Sequence, residues 1–281
     1  MAIKGIQQFQ LREEFGSEEK ARQTLQAAKD AGFEGIELNT FMIHKMSFAV
    51  RMLCRLAGMP LGASGNINWP TFLKEMDLKV ISLHDHLDSV LNQSEQVIQQ
   101  AKAFETEYIV ITGMRKFDFS NQTAVHELVE KLNSAGEKLA AGGIQLLYHN
   151  HNSDFRKLPS GQSAYDYLIE QTNPAWVNFE FDSYWAAEAG CDVETIMHRL
   201  GTRMKLYHIN DRGTRVTGPT NSIIKSDSME LGYGNMNLEK YVAIAKSYGV
   251  EAIVLESHQN WADKSAIKSM QLSSTFMNQH V

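Results

Sequence analysis

Short apolar runs recur along this chain at roughly 30-residue intervals, each followed by a longer amphipathic stretch, and that alternation most limits its fold. The runs read as strands at Ile3–Gln8, Gly35–Leu38, Val80–His84, Tyr108–Thr112, Ile144–His149, Val177–Asp182, Met204–Ile209 and Ala252–Glu256. Ser17–Ala31, Thr123–Ala141, Ala164–Gln171 and Leu238–Tyr248 read as helices between them. Ser17 sits where an N-cap is expected, with glutamates in the first turn behind it. The phrases AGFEGIEL, AGGIQLLY and YGVEAIVLE repeat one order of events: a helix ends, a glycine takes the left-handed conformation, and a buried strand begins. Eight such units predict an α/β protein of the (β/α)8 TIM barrel type rather than an open doubly wound sheet. No GxGxxG turn follows the first strand, which argues against dinucleotide binding.

The whole chain, 1–281, reads as one barrel domain with an extended βα excursion at about 39–79. Within the excursion, helices are expected near Ser47–Leu56 and Trp69–Met76, joined by the Gly- and Asn-rich GMPLGASGNINW. Long βα loops lie over the catalytic face of a barrel, so this one is a candidate lid or oligomer contact, with a plain surface excursion as the alternative.

Composition narrows the partners. With 43% hydrophobic residues and 5 prolines, a sizeable core can be built. A net charge of −6 argues against a surface that neutralises phosphates, so no nucleic-acid partner is expected. Cys54 and Cys191 are far apart and form no CxxC pair, which suits a reducing compartment. The opening MAIKGIQQFQ lacks the apolar run of a secretory signal, and no stretch approaches ~18 apolar residues. The expectation is a cytoplasmic enzyme with a small-molecule substrate, free of the membrane, with a homo-oligomer as a candidate assembly.

Polar residues able to bind metal stand at the carboxyl ends of the runs: Glu37, His84, His149 with His151 just beyond, Asp182, His208 and Glu256. Any one of them alone is more often a satisfied structural residue. In a parallel barrel, however, these ends converge on one face. Mixed imidazole and carboxylate donors suit a single divalent ion, Mn²⁺, Co²⁺, Zn²⁺ or Fe²⁺, with positions open to substrate oxygens. Thiolates are absent from the set, which argues against a cysteine-built structural zinc site. Such an ion favours proton removal α to a carbonyl, with neighbouring carboxylates moving the proton.

Several longer blocks resemble the xylose isomerase-like barrel superfamily, in particular its sugar phosphate isomerase/epimerase families. KGIQQFQLREEF and AGFEGIEL are similar to its first two strands, and YHNHNSDF at 148–155 to its YHNHxxEF block. FDSYWAAEAGCDVETIMHRLGTRMKLYHINDR is similar to its D-x-x-W … AG-x-D … R … H-x-K-D block, and LGYGNMNLEKY and VLESH complete the pattern. The resemblance implies a metal held by His149, Asp182, His208 and Glu256, with His151 as the rival ligand from strand five. It also implies an enediolate reaction on a sugar, keto-sugar or cyclitol, with Glu256, His149, Asp154 and Glu37 as catalytic candidates. His84, His151, Trp185 and Arg212 are the candidates for binding substrate. Two positions depart from the family pattern: Asp154 replaces a glutamate, and Asn210 replaces the lysine of H-x-K-D. The ketose 3-epimerases place a second glutamate on strand five, where this chain has His149.

Three other outcomes share the barrel. A lyase or hydratase would use the same enediolate. A DNA-repair enzyme resembling endonuclease IV would need a basic groove that the acidic balance disfavours. A non-catalytic sugar-binding or partner subunit would bind no ion and turn over no sugar.

Overall fold

A computed structural model describes residues 1–44, 52, 67–112, 114, 116–216, 218–219 and 222–281. Its strands are β1 (Ile3–Gln7), β2 (Gly35–Asn39), β3 (Lys79–Asp85), β4 (Tyr108–Ile111) and β5 (Gln145–His149). They continue as β6 (Val177–Asp182), β7 (Met204–Ile209), β8 (Asp211–Gly213), β9 (Asp227–Met229) and β10 (Ala252–Leu255). Eight of them close into a parallel barrel in the order β1-β10-β7-β6-β5-β4-β3-β2, while β8 and β9 form a separate two-stranded sheet. The barrel strands match the sequence expectation to within one residue at each end. The expected Trp69 helix is present as Trp69–Glu75; the one expected near Ser47–Leu56 and most of the loop after it lie outside the described residues.

The helices start and stop for the reasons their sequences suggest. Ser17 caps Glu18–Asp30 through a hydrogen bond accepted from the Lys20 N–H, and Ser163 caps Ala164–Gln171 in the same way through Asp166. Gly32 and Gly143, at φ +97° and +79°, turn the chain out of a helix where a side chain would be strained. No helix among the described residues is long and apolar enough to cross a membrane.

Contacts group the chain into two units, one of Met1–Ala2, Ser82–His208 and Glu239–Ala252, the other of Ile3–Ile81, Ile209–Leu238 and Ile253–Val281. In the first, β4, β5, β6 and β7 run side by side in parallel register. Alternation then assigns the faces. Phe179 and Phe181 pack on Tyr165 of the helix Ala164–Gln171, with ring centroids 5.7 and 6.3 Å apart, and Tyr207 stacks on Phe181 at 6.5 Å. Each such fully buried ring contributes about 1.5–3 kcal/mol, which fixes that face towards the helices. Asn178, Glu180 and Asp182 are thereby turned to the opposite face of β6, and His208 to the opposite face of β7.

In the second unit β1 and β2 pair in parallel, placing Gln7 beside Glu37. Asp211 fastens the segment that follows β9. Its carboxylate accepts backbone hydrogen bonds from Gly232 (3.0 Å), Gly234 (2.9 Å) and Met236 (3.1 Å), and from Arg212 (2.8 Å).

Candidate metal centre

The register of three neighbouring strands assembles the centre. His149, the last residue of β5, is the partner of Glu180 on β6, and Asp182, the last of β6, is the partner of His208 on β7. An irregularity between Phe179 and Glu180 shifts the β6–β7 register just below these pairs. His84 arrives from β3. All five side chains are buried.

One oxygen of Glu180 is the focus. Its Oε2 lies 2.9 Å from His149 Nδ1, 3.2 Å from His84 Nε2 and 3.3 Å from His208 Nε2. The rings surround it, with centroid separations of 4.7 Å between His149 and His208 and 5.8 Å from His84 to each. Its other oxygen, Oε1, is buried with no hydrogen-bond partner among the described residues. Burial pushes this carboxyl up, but the His208 and His84 imidazoles and the hydrogen bonds from His149 and His208 outweigh it. The acid is held well below the usual carboxylate range.

Asp182 is fixed on three sides. Asn150 donates to its carbonyl oxygen and accepts from its N–H, both at 3.0 Å, while Asp182 Oδ1 accepts from the Trp185 N–H at 3.1 Å and so caps the helix Ser183–Glu188. Its Oδ2 faces His208 Nδ1 at 3.9 Å. The gap is too long for a hydrogen bond. It matches two donors to one ion, because metal bonds of about 2.0–2.2 Å set neighbouring ligand atoms roughly 3–4 Å apart. His149, Asp182 and His208 each offer a donor atom, all within 4.8 Å of one another. The donor chemistry and the spacing therefore fit a divalent cation.

The other expected residues fall in distinct places. His151 is half-buried, its ring 5.0 Å from that of His149 and 5.7 Å from that of Trp185, so these aromatics line one continuous surface. Asp154 is buried and local in its bonding: it accepts from Tyr148 Oη at 2.6 Å and from the His151 N–H at 3.3 Å, closing a capping box on Asn152–Phe155. Burial pushes its carboxyl up to about 6, against the opposing pull of the Tyr148 and His151 hydrogen bonds and of His149. In the second unit, buried Glu37 accepts from Gln7 Nε2 at 3.2 Å. Buried Glu256 follows β10 directly and lies 3.4 Å from His258 Nε2. Arg12 is held there between the rings of Phe9 and Trp261, donating to the carbonyls of Phe9 and His258. The Arg212 N–H is engaged by Asp211. Asn210, at the departure from the family lysine, exchanges hydrogen bonds with Ser228 Oγ, which in turn meets Ser257 Oγ at 2.9 Å.

Sequence reasoning missed Glu180 and Asn150. The signal for Glu180 was present: it lies two residues before Asp182 on the same strand, and residues two apart share a face. Asn150 carried no comparable sign, since its role depends on which strand lies next to it.

Comparison with known proteins gives consistent relatives. The family model described as xylose isomerase-like TIM barrel matches residues 25–275. The inosose dehydratase of Mesomycoplasma hyopneumoniae (strain 7448) is 26% identical over 141 residues, covering 50% of this chain and 40% of the dehydratase. The chain thus matches well under two thirds of that relative's length. A sugar phosphate isomerase/epimerase from Parabacteroides distasonis superposes with a TM-score of 0.77 at 19% identity, covering 99% of this chain and 94% of that one. The IOLI protein, solved with a bound zinc atom, gives 0.68 at 13% identity over 99% and 98% of the two chains. At these identities the two structures show a shared fold.

Proposed function

Because this chain belongs to the xylose isomerase-like TIM barrel family, we propose that it is a metal-dependent isomerase or epimerase of a sugar, keto-sugar or cyclitol. The observation that carries the reading is the facing pair Asp182 Oδ2 and His208 Nδ1, 3.9 Å apart beside His149 in a buried pocket of carboxylate and imidazole donors. His149, Asp182, His208 and Glu256 would hold one divalent ion, the proposed zinc, manganese, cobalt or iron. When bound, such an ion polarises a substrate carbonyl and so eases loss of the neighbouring proton.

The chain's own residues supply the rest. Glu256 is the carboxylate proposed to move the proton, with His258 beside it and the Arg12 charge nearby. His84 and Glu37 are proposed to meet substrate hydroxyls, and the His151 and Trp185 rings to offer a flat apolar surface to a sugar ring. The net charge of −6 supports a small-molecule substrate over nucleic acid.

The test is incubation of the metal-loaded protein with keto-sugars and inososes in deuterated water. Deuterium entering the carbon α to the carbonyl, with substrate mass otherwise conserved, is the expected result; no exchange with any of them would sink the reading. A dehydratase outcome is the second reading, favoured by the match to inosose dehydratase over half of this chain. It would show as a product lighter by one water.

A further inference from the structure

A carboxylate oxygen with three imidazoles around it is an unusual acceptor. In a neutral imidazole one nitrogen carries the proton and the other a lone pair, and the partner of the first decides which is which. Glu180 Oε2 faces Nδ1 of His149 but Nε2 of both His84 and His208. The other nitrogen of His208, Nδ1, is the one turned towards Asp182 Oδ2.

We propose that Glu180 is the positioning residue of this centre: it draws a proton onto His149 Nδ1 and so leaves the lone pair on His149 Nε2. Ligation needs a deprotonated nitrogen, so this assignment presents His149 to a cation already in the competent tautomer. A merely structural glutamate would need one good donor; here three residues from three different strands point at the same atom, and Oε1 is left without a partner. The inference rests on the metal reading above for its purpose, but the His149 tautomer stands without it.

Two measurements separate the possibilities. In chelator-treated protein with ¹⁵N-labelled histidine, two-bond nitrogen–proton spectra at mildly alkaline pH should show His149 as the Nδ1–H form. An Nε2–H form at His149 overturns the proposal. Calorimetric titration of Zn²⁺ and Mn²⁺ into Glu180→Gln protein with a native circular dichroism spectrum should then show affinity reduced about 10–100-fold. Wild-type affinity in that variant also overturns it. If the wild-type protein itself binds neither ion, the metal reading fails, and the tautomer spectra alone decide the role of Glu180. If Glu180→Gln does not fold, the wild-type spectra still give the answer.

Discussion

His149 Nδ1 and Glu180 Oε2 lie 2.9 Å apart because the two residues are direct partners across β5 and β6, so the strand register itself makes the contact. Any shift of that register by one residue would turn His149 away and replace Glu180 with a phenylalanine that belongs against the helices. The buried acid is consequently part of how the barrel defines itself as well as part of its chemistry.

Metal binding should be visible as stability. A ligand that binds only the native state at a hundred times its Kd adds about 2.7 kcal/mol. Thermal unfolding of the wild-type protein should therefore shift upward on addition of zinc or manganese and back with chelator. Asp182→Asn and Glu256→Gln should each lose most of that shift; retention of the full shift in both would remove these residues from the ligand set.

Asp154 gives a pH signature. Its folded-state pKa, about 6, is above the unfolded value of 3.8, so the native state binds the proton more tightly. Below the unfolded value the carboxyl is protonated in both states and costs nothing. As pH rises to about 6 the cost grows, reaching on the order of 3 kcal/mol at neutrality. Asp154→Asn keeps an acceptor for Tyr148 and carries no charge, so its stability should not fall in this way. Urea titrations at pH 4.5 and 7.5 should show the variant gaining on wild type at the higher pH, and equal behaviour at both would refute the assignment.

Asn150 tests the backbone clamp on Asp182. Replacing it with alanine removes two buried hydrogen bonds to the Asp182 backbone, at a cost of about 0.5–1.5 kcal/mol each. Chemical denaturation should report this loss. Metal affinity should fall with it, because the last residue of β6 is then less firmly held.

Asp211 tests how the segment after β9 is held. Four backbone N–H groups converge on its carboxylate. Asp211→Ala should destabilise by about 3 kcal/mol, in keeping with charge-assisted hydrogen bonds, and open the Leu231–Asn237 stretch to limited proteolysis. An unchanged cleavage pattern would show that the segment is held by other means.

The site was partly legible in the residues. Asp182 and His208 could be picked out because each stands at or beside the end of an apolar run, and a chain that spends a buried strand end on an ionisable group has a use for it. Asp154 was legible as a family position; its bonds to Tyr148 and to the His151 N–H show only in the fold, where they make a cap. Asn210 shows the same limit: the sequence reveals that a family lysine is missing, and only the structure reveals the Ser228–Ser257 hydrogen bonds in its place.

What the sequence by itself determined is the set of strands, their spacing and the ends at which polar groups stand, because apolar periodicity and capping act over a few neighbouring residues. What only the tertiary structure decided is which of those groups share an atom. Glu180 reads along the chain as one acid inside a buried strand. It becomes the common partner of three histidines only when β3, β5 and β7 bring His84, His149 and His208 to it, and contacts between residues 28 to 96 positions apart leave no local trace in the order of residues.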